Sequence, residues 1–316
     1  NVVNEAGGFP TNNFKTGRFE GAPQISGEAL AEMEKERGGN PTHGCHRGCV
    51  IQCSGTFFDK QGNFLTKQPE YETVWSHGAN CGIDDLDAIA MMDRLDDDYG
   101  VDTIEMGAAI GVAMDAGLAE FGDAEAAINL VKEVGKGSPL GRILGSGAGI
   151  TGKVFGVERV PVVKNQSMSA YDPRAVQGMG VTYATSTMGA DHTAGLILDP
   201  SIAPDKLAVT SQMMQLVVAA GDSSGCCLFL GVHLDDLREL YGALYGIEIT
   251  RGSSGDMSWH ILQDEWASNR LAGIGASDDH LPAWMATDGL GPNQVVFDVP
   301  DETIQSVYKR IPVGDE

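Results

Sequence analysis

Three cysteines within nine residues are the first feature of this sequence that could do chemistry. Cys45, Cys49 and Cys53 follow one another at intervals of four residues. Disulfide scaffolds are short secreted chains with dispersed cysteines, and no secretory signal opens this chain of 316 residues. Three thiolates on one short loop can instead converge on one metal centre, so the spacing favours metal binding.

A fourth ligand must come from elsewhere in the chain. A [4Fe–4S] cluster would take it from a distant cysteine, and Cys226 and Cys227 form such a pair. A Cys₃His zinc site would instead use His43 or His46. Both metals follow the same ligand rules, so the spacing leaves iron–sulfur and zinc open.

Two loops share a second pattern. Residues 97–102 read D-x-x-G-x-D, and residues 222–227 read D-x-x-G-x-C. Each follows a predicted helix, and each loop alone is explained by a glycine that ends one helix and a residue that caps the next. The paired occurrence predicts two equivalent half-sites for a flat polar ligand. Carboxylates can accept the N–H groups of an aminopyrimidine ring, and glycine lets the backbone come close.

The elements that must position these residues are mostly helices. Helical periodicity, caps and glycine stops predict the following helices: 26–36, 83–99, 102–121, 123–134, 139–144, 204–220, 233–245 and 259–269. Strand signals are few, and residues 56–66 predict a small hairpin. Residues 145–156 are interpreted as a glycine-rich stretch, 178–192 as a small-residue segment, and the region after 160 as a long polar loop. The fold class is therefore mostly α, with two domains, 1–160 and 161–316.

The charge balance excludes several partners. Acidic residues number 44 and basic residues 21, which gives a net charge of −23. Such a surface repels phosphate backbones and anionic lipid, so we expect neither nucleic acid nor membrane as a partner. No stretch approaches the roughly 18 apolar residues of a membrane span, and we expect a cytoplasmic location. The chain opens without an initiator Met, which predicts a processed protein or a piece of a longer one.

Beyond the cysteine loop, several segments together resemble the tungsten-containing aldehyde ferredoxin oxidoreductases, over nearly the whole chain. The segments are 44–54 around the cysteines, PEYETVW at 69–75, GANCGIDDL at 78–86, AYDPR at 170–174, GMG at 178–180, YATS at 183–186 and GADH at 189–192. The two D-x-x-G loops complete the resemblance. The cysteine cluster alone would not be specific.

The resemblance implies a fold and a set of cofactors. In that family an N-terminal β-rich domain precedes two α-helical domains with the cofactor site at their interface. This chain would be the two helical domains, a fragment that lacks the β domain as its partner. One tungsten (or molybdenum) would be held by two pterins, with no side chain as metal ligand. A [4Fe–4S] cluster would pass electrons from an aldehyde substrate to ferredoxin or a similar acceptor. A homodimer is compatible with these features.

Ligand roles are carried over residue by residue. The cluster ligands implied by the resemblance are Cys45, Cys49, Cys53 and Cys227. The residues implied for one pterin are Asp97, Gly100, Val101 and Asp102, and those for the other are Asp222, Gly225 and Cys226. One departure concerns spacing, because the family pattern C-x₂-C-x₃-C is here C-x₃-C-x₃-C. All three thiols of the family pattern are present.

Oxidation of an aldehyde needs a base to remove a proton from the attacking water. Glu72 matches the glutamate that follows the cysteine loop in the family, and Glu70 is its rival two residues away. The alternative for both is a surface salt bridge. The distance of Glu72 from the first D-x-x-G loop favours Glu72.

Further residues would surround the substrate. His192 matches the histidine of the second helical domain and could hold the substrate oxygen. Tyr171 would share that hydrogen bond. Arg174 would contact a pterin phosphate or an acidic partner, and an exposed, solvated arginine is the plainer expectation. Cys81 is expected to be a small buried residue near the site.

Two other classes of function remain open from the sequence. The chain could be an iron–sulfur electron-transfer module that binds no pterin, because the partner domain is missing. It could also be a zinc-stabilised helical structural protein. The enzyme interpretation predicts that the fragment alone is inactive.

Overall fold

The computed structural model describes residues 1–231 and 233–310, and these residues are mostly helical. They form two compact units, each with its own interior. Unit 1 comprises Asn1–Ala175 and Pro282–Val296, and unit 2 comprises Val176–Leu281 and Phe297–Glu316. The mostly α fold class is confirmed. The functional division at residue 160 stays a prediction.

Unit 1 holds eight α-helices and five short strands among its described residues. The helices are α1 (Val2–Ala6), α2 (Gly27–Glu36), α3 (Tyr71–His77), α4 (Leu86–Tyr99), α5 (Thr103–Asp115), α6 (Ala124–Lys136), α7 (Pro139–Leu144) and α8 (Ala148–Phe155). The strands are β1 (Asn40–His43), β2 (Ser54–Phe58), β3 (Phe64–Lys67), β4 (Val162–Val163) and β5 (Gln166–Ser167).

Unit 2 contains α-helices and no named strand among its described residues. Its helices are α9 (Gln177–Thr185), α10 (Leu207–Ser223), α11 (Leu234–Tyr245), α12 (Arg251–Leu271) and α13 (Asp301–Gln305). Within the described ranges no helix is both long and apolar enough to cross a membrane.

A three-stranded antiparallel sheet frames the cysteine loop. Strands β1 and β2 pair on either side of it, and β2 pairs with β3. The β2–β3 turn is tight because Asp59 accepts hydrogen bonds from the backbone N–H groups of Gln61 and Asn63 at 2.9 and 2.8 Å. The hairpin predicted at residues 56–66 is confirmed. The pairing of β1 with β2 fixes both ends of the loop that carries Cys45 to Cys53.

The core of unit 1 depends on small residues where α3 packs against α5. A Cβ atom on Gly107 would lie 2.5 Å from the Cβ of Ser76, which no real pair of side chains tolerates. The close approach lets the Ser76 hydroxyl donate to the Thr103 carbonyl at 2.9 Å. It also lets Asn80 donate to the Gly107 carbonyl at 3.1 Å. These two bonds pair the buried Ser76 hydroxyl and the amide nitrogen of Asn80 across the interface.

In unit 2, α10 is the central helix and α12 packs across it. Leu216 on α10 contacts Trp259 and Leu262 on α12 in a buried apolar cluster. Polar side chains of α10 are also buried. Gln215 donates to the Thr185 hydroxyl at 2.9 Å, and Gln212 donates to the Val307 carbonyl at 2.6 Å. These bonds tie α10 to α9 and to the C-terminal segment.

Three segments that the sequence marked only by composition or as a loop contain regular structure. Helix α8 lies within 145–156, helix α9 covers the start of 178–192, and a two-stranded hairpin of β4 and β5 precedes the loop at residues 171–174. Glycine lowers helix propensity, but here tertiary packing requires it. A Cβ atom on Gly152 would lie 2.2 Å from Val160, and one on Gly180 would lie 2.3 Å from the ring of Phe297.

Candidate functional site

The cysteine loop brings two of its thiols close to a histidine. The ligand atoms of Cys45, His46 and Cys49 all lie within 4.8 Å of one another. A turn in which the Cys49 N–H donates to the His46 carbonyl at 3.2 Å produces this arrangement. Cys45 and Cys53 are exposed, and Cys49 is partly buried. The set of soft donors fits a thiophilic metal or an iron–sulfur cluster.

Backbone N–H groups change the pKa of Cys49, the middle cysteine of the loop. The N–H groups of Gln52 and Ile51 lower the pKa of the Cys49 thiol, and the Gln52 nitrogen lies 3.4 Å from its Sγ. The thiolate is the form that binds metals. By contrast, Cys81 is fully buried, and burial raises the pKa of its thiol. Its Sγ donates to the Ser76 carbonyl at 3.3 Å, so Cys81 is the buried residue that its sequence context predicted.

Glu72 lies on α3 with its carboxylate turned into unit 1. The residue is partly exposed, but its Oε1 atom is buried. The other oxygen, Oε2, accepts a hydrogen bond from the Ala170 N–H at 3.0 Å, and the Tyr171 hydroxyl donates to the carboxylate. Burial raises the pKa of Glu72 to about 7, although these two hydrogen bonds oppose the shift. A carboxylate with a near-neutral pKa suits a general base or acid.

Tyr171 and Tyr71 form an aromatic wall beside this carboxylate. Their ring centroids are 6.1 Å apart, and Tyr71 lies 6.4 Å from Phe9. Burial and the neighbouring Glu72 charge raise the pKa of the Tyr171 phenol, so its hydroxyl stays protonated and can donate. Glu70 is exposed at the N-terminal end of α3. Of the two glutamates, Glu72 is the one whose carboxylate is enclosed.

The first D-x-x-G loop lies between α4 and α5. Gly100 ends α4 with φ at +69°, and a Cβ atom added there would meet nothing within 4 Å. Asp97 keeps 47% of its side chain exposed while it pairs with Lys67 at 3.2 Å. Asp102 caps α5, because its carboxylate accepts the Glu105 N–H at 2.8 Å. Open space over the glycine beside an accessible carboxylate fits the approach of a flat polar ligand.

The second loop repeats the backbone turn of the first. Gly225 follows α10 with φ at +73°, and a Cβ atom added there would also meet nothing within 4 Å. Its N–H donates to the Asp222 carbonyl at 3.0 Å, as that of Gly100 donates to the Asp97 carbonyl at 3.3 Å. Cys226 is partly buried and Cys227 is exposed. The two loops therefore share a backbone conformation as well as a sequence pattern.

A cavity of about 390 Å³ opens inside unit 2 next to this loop. Asp191 and Asp222 both line it, together with Gln215 and Glu265. Burial, and then the charge of Asp191, raises the pKa of Asp222. His192 is partly buried and follows Asp191 in a turn, but the residues that line the cavity do not include it. The cavity therefore presents carboxylates, which favour a ligand rich in N–H donors.

Arg174 does not match the exposed arginine expected from the sequence. It is 2% exposed and donates to Asp172 at 2.7 Å and to the Phe14 carbonyl at 2.6 Å. Its guanidinium lies 5.2 Å from the ring centroid of Trp284. The expectation of a solvated Arg174 is wrong, because Asp172 and several carbonyls supply a buried site that pairs its charge.

Three buried ionisable groups near these elements were not singled out from the sequence. Asp93 is fully buried and accepts from Thr66 at 2.8 Å and from Lys67 at 2.6 Å. His77 and Asp96 form a fully buried pair at 2.6 Å. Asp93 and Asp96 both lie on α4. Their alignment with α3 and β3 exists only in the folded unit.

Taken together, a helical fold with a cysteine loop, a buried carboxylate and two glycine turns is typical of a cofactor-binding redox protein. A family model described as aldehyde ferredoxin oxidoreductase, domains 2 and 3, matches residues 1–311. The chain therefore belongs to this family, and the resemblance found in the sequence is confirmed.

Curated relatives carry the name tungsten-containing aldehyde ferredoxin oxidoreductase. The proteins of Pyrococcus abyssi and Pyrococcus furiosus are each 31% identical to this chain, and that of Thermococcus kodakarensis is 30% identical. Each match covers 93% of this chain and 53% of the relative. The chain thus spans about half the length of the curated relatives it matches.

Proposed function

We propose that this chain is the cofactor-binding portion of a tungsten-dependent aldehyde oxidoreductase. An aldehyde and water would give a carboxylic acid, two protons and two electrons. The electrons would leave through a [4Fe–4S] cluster to ferredoxin or a similar acceptor. The observation that carries the proposal is the enclosed carboxylate of Glu72, held by the Ala170 N–H and by Tyr171 in a chain of this family.

Glu72 would act as the base. Its near-neutral pKa leaves a substantial ionised fraction at pH 7, and burial makes the ionised form a stronger proton acceptor than an exposed carboxylate. The Ala170 N–H and the Tyr171 hydroxyl hold the carboxylate in one orientation. A water molecule adding to the aldehyde carbon would give its proton to Glu72.

Two other side chains would act on the carbonyl oxygen. His192 can donate an N–H from its imidazole, and Tyr171 keeps its phenolic proton. A donor placed at that oxygen stabilises the negative charge that develops as water adds. We propose catalytic roles for Glu72, His192 and Tyr171 on these grounds.

The two glycine turns would hold the pterins. Asp97, Gly100, Val101 and Asp102 would serve one pterin, and Asp222, Gly225 and Cys226 the other. The open space over Gly100 and Gly225 and the accessible carboxylates support this assignment. When bound, the tungsten (or molybdenum) bis-pterin would accept the two electrons of the oxidation. A β-rich N-terminal domain of the same protein is the partner we propose for enclosing the site.

The cluster would be ligated by Cys45, Cys49, Cys53 and Cys227. Exposure of Cys45, Cys53 and Cys227 and the lowered pKa of Cys49 support thiolate ligation. Cys81 serves as a matched control, because it is a free cysteine that is fully buried.

Metal analysis and mutagenesis of the protein in its full native context test the proposal. We expect tungsten, pterin, four irons and aldehyde oxidation together. Cys49→Ser should lose its iron and the broad visible absorption that gives an iron–sulfur protein its brown colour, and Cys81→Ser should retain both. A Cys49→Ser protein with a full four-iron cluster would overturn the ligand assignment. Purified protein with iron but neither tungsten nor molybdenum would instead support an electron-transfer module without pterin.

A further inference from the structure

The cysteine loop has a feature that the cluster proposal does not use. His46 contributes a ligand atom to the group formed with Cys45 and Cys49, all within 4.8 Å of one another. Cys53, although exposed on the same loop, is not a member of this group. His43, also exposed and three residues before His46, is not a member either.

We propose that Cys45, His46 and Cys49 form a site for one thiophilic divalent metal ion of the zinc class. A tetrahedral zinc ion has Zn–S distances of about 2.3 Å and Zn–N distances of about 2.0–2.1 Å, which places its ligand atoms roughly 3.5–4 Å apart. The present separations, all within 4.8 Å, are already close to that spacing. The exposure of Cys45 and His46 leaves the fourth position to water.

The hydrogen bond made by His46 supports this role. Its Nδ1 atom lies 3.1 Å from the Arg47 carbonyl oxygen, which can only accept. A neutral imidazole therefore carries its proton on Nδ1 and keeps the lone pair of Nε2 for a metal. Histidine ligands in metal sites commonly donate their other N–H to a backbone carbonyl, which fixes the tautomer and the ring orientation.

The single ion and the cluster would exclude each other. Each cysteine of a cluster binds a different iron, whereas a mononuclear ion gathers its ligands around one centre. Both occupants need the thiolates of Cys45 and Cys49. The mononuclear site requires His46 but not Cys227, and the proposed cluster requires Cys227 but not His46. The inference therefore stands apart from the proposed cluster.

Cobalt titration of the metal-free, reduced chain tests the site, because Co²⁺ replaces zinc and its spectrum reports coordination. We expect one tightly bound Co²⁺ with intense tetrahedral visible bands and thiolate charge-transfer absorption. His46→Ala should weaken Co²⁺ affinity at least about tenfold, since even a supporting partner of a metal ligand is worth that much. His43→Ala is the matched control and should bind Co²⁺ as the unchanged chain does.

Two further variants separate this proposal from the cluster. Cys227→Ser should keep the cobalt site, and in iron and sulfide reconstitution it should lose the cluster. His46→Ala should still assemble the cluster, and zinc should block that assembly in the unchanged chain far more than in this variant. Equal Co²⁺ affinities of the His46→Ala variant and the unchanged chain would refute the site. So would loss of Co²⁺ binding in Cys227→Ser. Failure of the cluster to assemble even in the unchanged chain would count against the proposed function alone.

Discussion

The two D-x-x-G loops end their helices with the same turn but differ in what surrounds the aspartate. In unit 1, Lys67 contacts Asp97 at 3.2 Å and also the buried Asp93 at 2.6 Å. In unit 2, Asp222 lines a cavity with Asp191, and the described ion pairs include none for Asp222. The first loop is held by a cation of its own unit, whereas the second faces a like charge.

This difference separates a loop that is organised before a ligand arrives from one that a ligand would complete. A carboxylate already paired with a lysine keeps its orientation at little further entropic cost on binding. Two neighbouring carboxylates repel each other until N–H donors or a cation come between them. Equivalent sequence patterns thus predict equivalent turns, but not equivalent electrostatics.

The strongest test of the comparison concerns chemistry in each unit. In the full native context, Glu72→Gln in unit 1 and His192→Ala in unit 2 should each lower turnover by about 10²-fold or more, as positioned acid–base groups do. Tungsten and iron content should not change, because neither residue is proposed as a metal ligand. Glu70→Gln is the control for Glu72 and should keep near-native turnover, because Glu70 is exposed.

The pH dependence follows from the ionisation of Glu72. A base must be deprotonated, and burial raises its pKa to about 7, so kcat/KM should rise as pH increases through about 7 and then level off. The steady-state kinetics of Glu72→Gln should lack this rise of kcat/KM with pH. Near-native rates of this variant would transfer the role of base to Glu70 or to a group on the metal.

A buried carboxylate without a hydrogen-bond partner among the described residues should make the stability of unit 1 fall as pH rises, whereas kcat/KM should increase over the same range. Both oxygens of Glu34 are buried and have no hydrogen-bond partner among the described residues, and burial raises its pKa from 4.5 to about 7. Folded and unfolded states are both protonated below about pH 4.5. Stability should therefore fall as pH rises towards about 7, by up to about 3 kcal/mol.

Chemical denaturation of Glu34→Gln at several pH values checks this effect. The amide cannot ionise, so the variant should lose that pH dependence between about 4.5 and 7 and gain stability relative to the unchanged chain above it. Parallel pH profiles of the two proteins would show that Glu34 is solvated or paired.

Removing Lys67, the cation that pairs with Asp97 of the first loop, should lower the free energy of unfolding by less than the ionisation of Glu34 does. Lys67→Met leaves the buried Asp93 with only Thr66 as a described side-chain partner, and we expect a loss of about 2 kcal/mol in unfolding free energy. Denaturant titration measures it. Lys60→Met is the matched control, because Lys60 is an exposed lysine that pairs with Asp87, and it should cost less than about 0.5 kcal/mol. Equal losses would mean that Lys67 forms only a surface pair.

The smallest effect is expected in the second loop. Asp222→Asn removes one of the like charges that line the cavity, so the ligand-free protein should become slightly more stable at neutral pH, by a few tenths of a kcal/mol. Thermal unfolding at pH 7 and at pH 4 checks the sign, because the gain should shrink as Asp222, whose pKa is raised by burial, becomes protonated. Destabilisation at pH 7 would show that Asp222 has a stabilising partner and that the loops are more alike than we infer.

Local patterns in the sequence determined much of the chain. The hairpin around Asp59, the end of α4 at Gly100 and the cap of α5 at Asp102 follow from hydrogen bonds and backbone angles within a few residues. The shared turn of the two D-x-x-G loops is local in the same way. The sequence also showed membership of the family, because many short segments agree with it at once.

Only the tertiary structure decided which groups are buried and what they face. Helix α8 forms from a glycine-rich stretch because Gly152 must pass close to Val160. Arg174 is buried because Asp172 and the Phe14 carbonyl meet it there, and Phe14 is 160 residues away in sequence. Lys67 reaches two aspartates only because β3 lies along α4. Desolvation and charge pairing depend on neighbours that are distant in the chain, so no local pattern of residues could specify them.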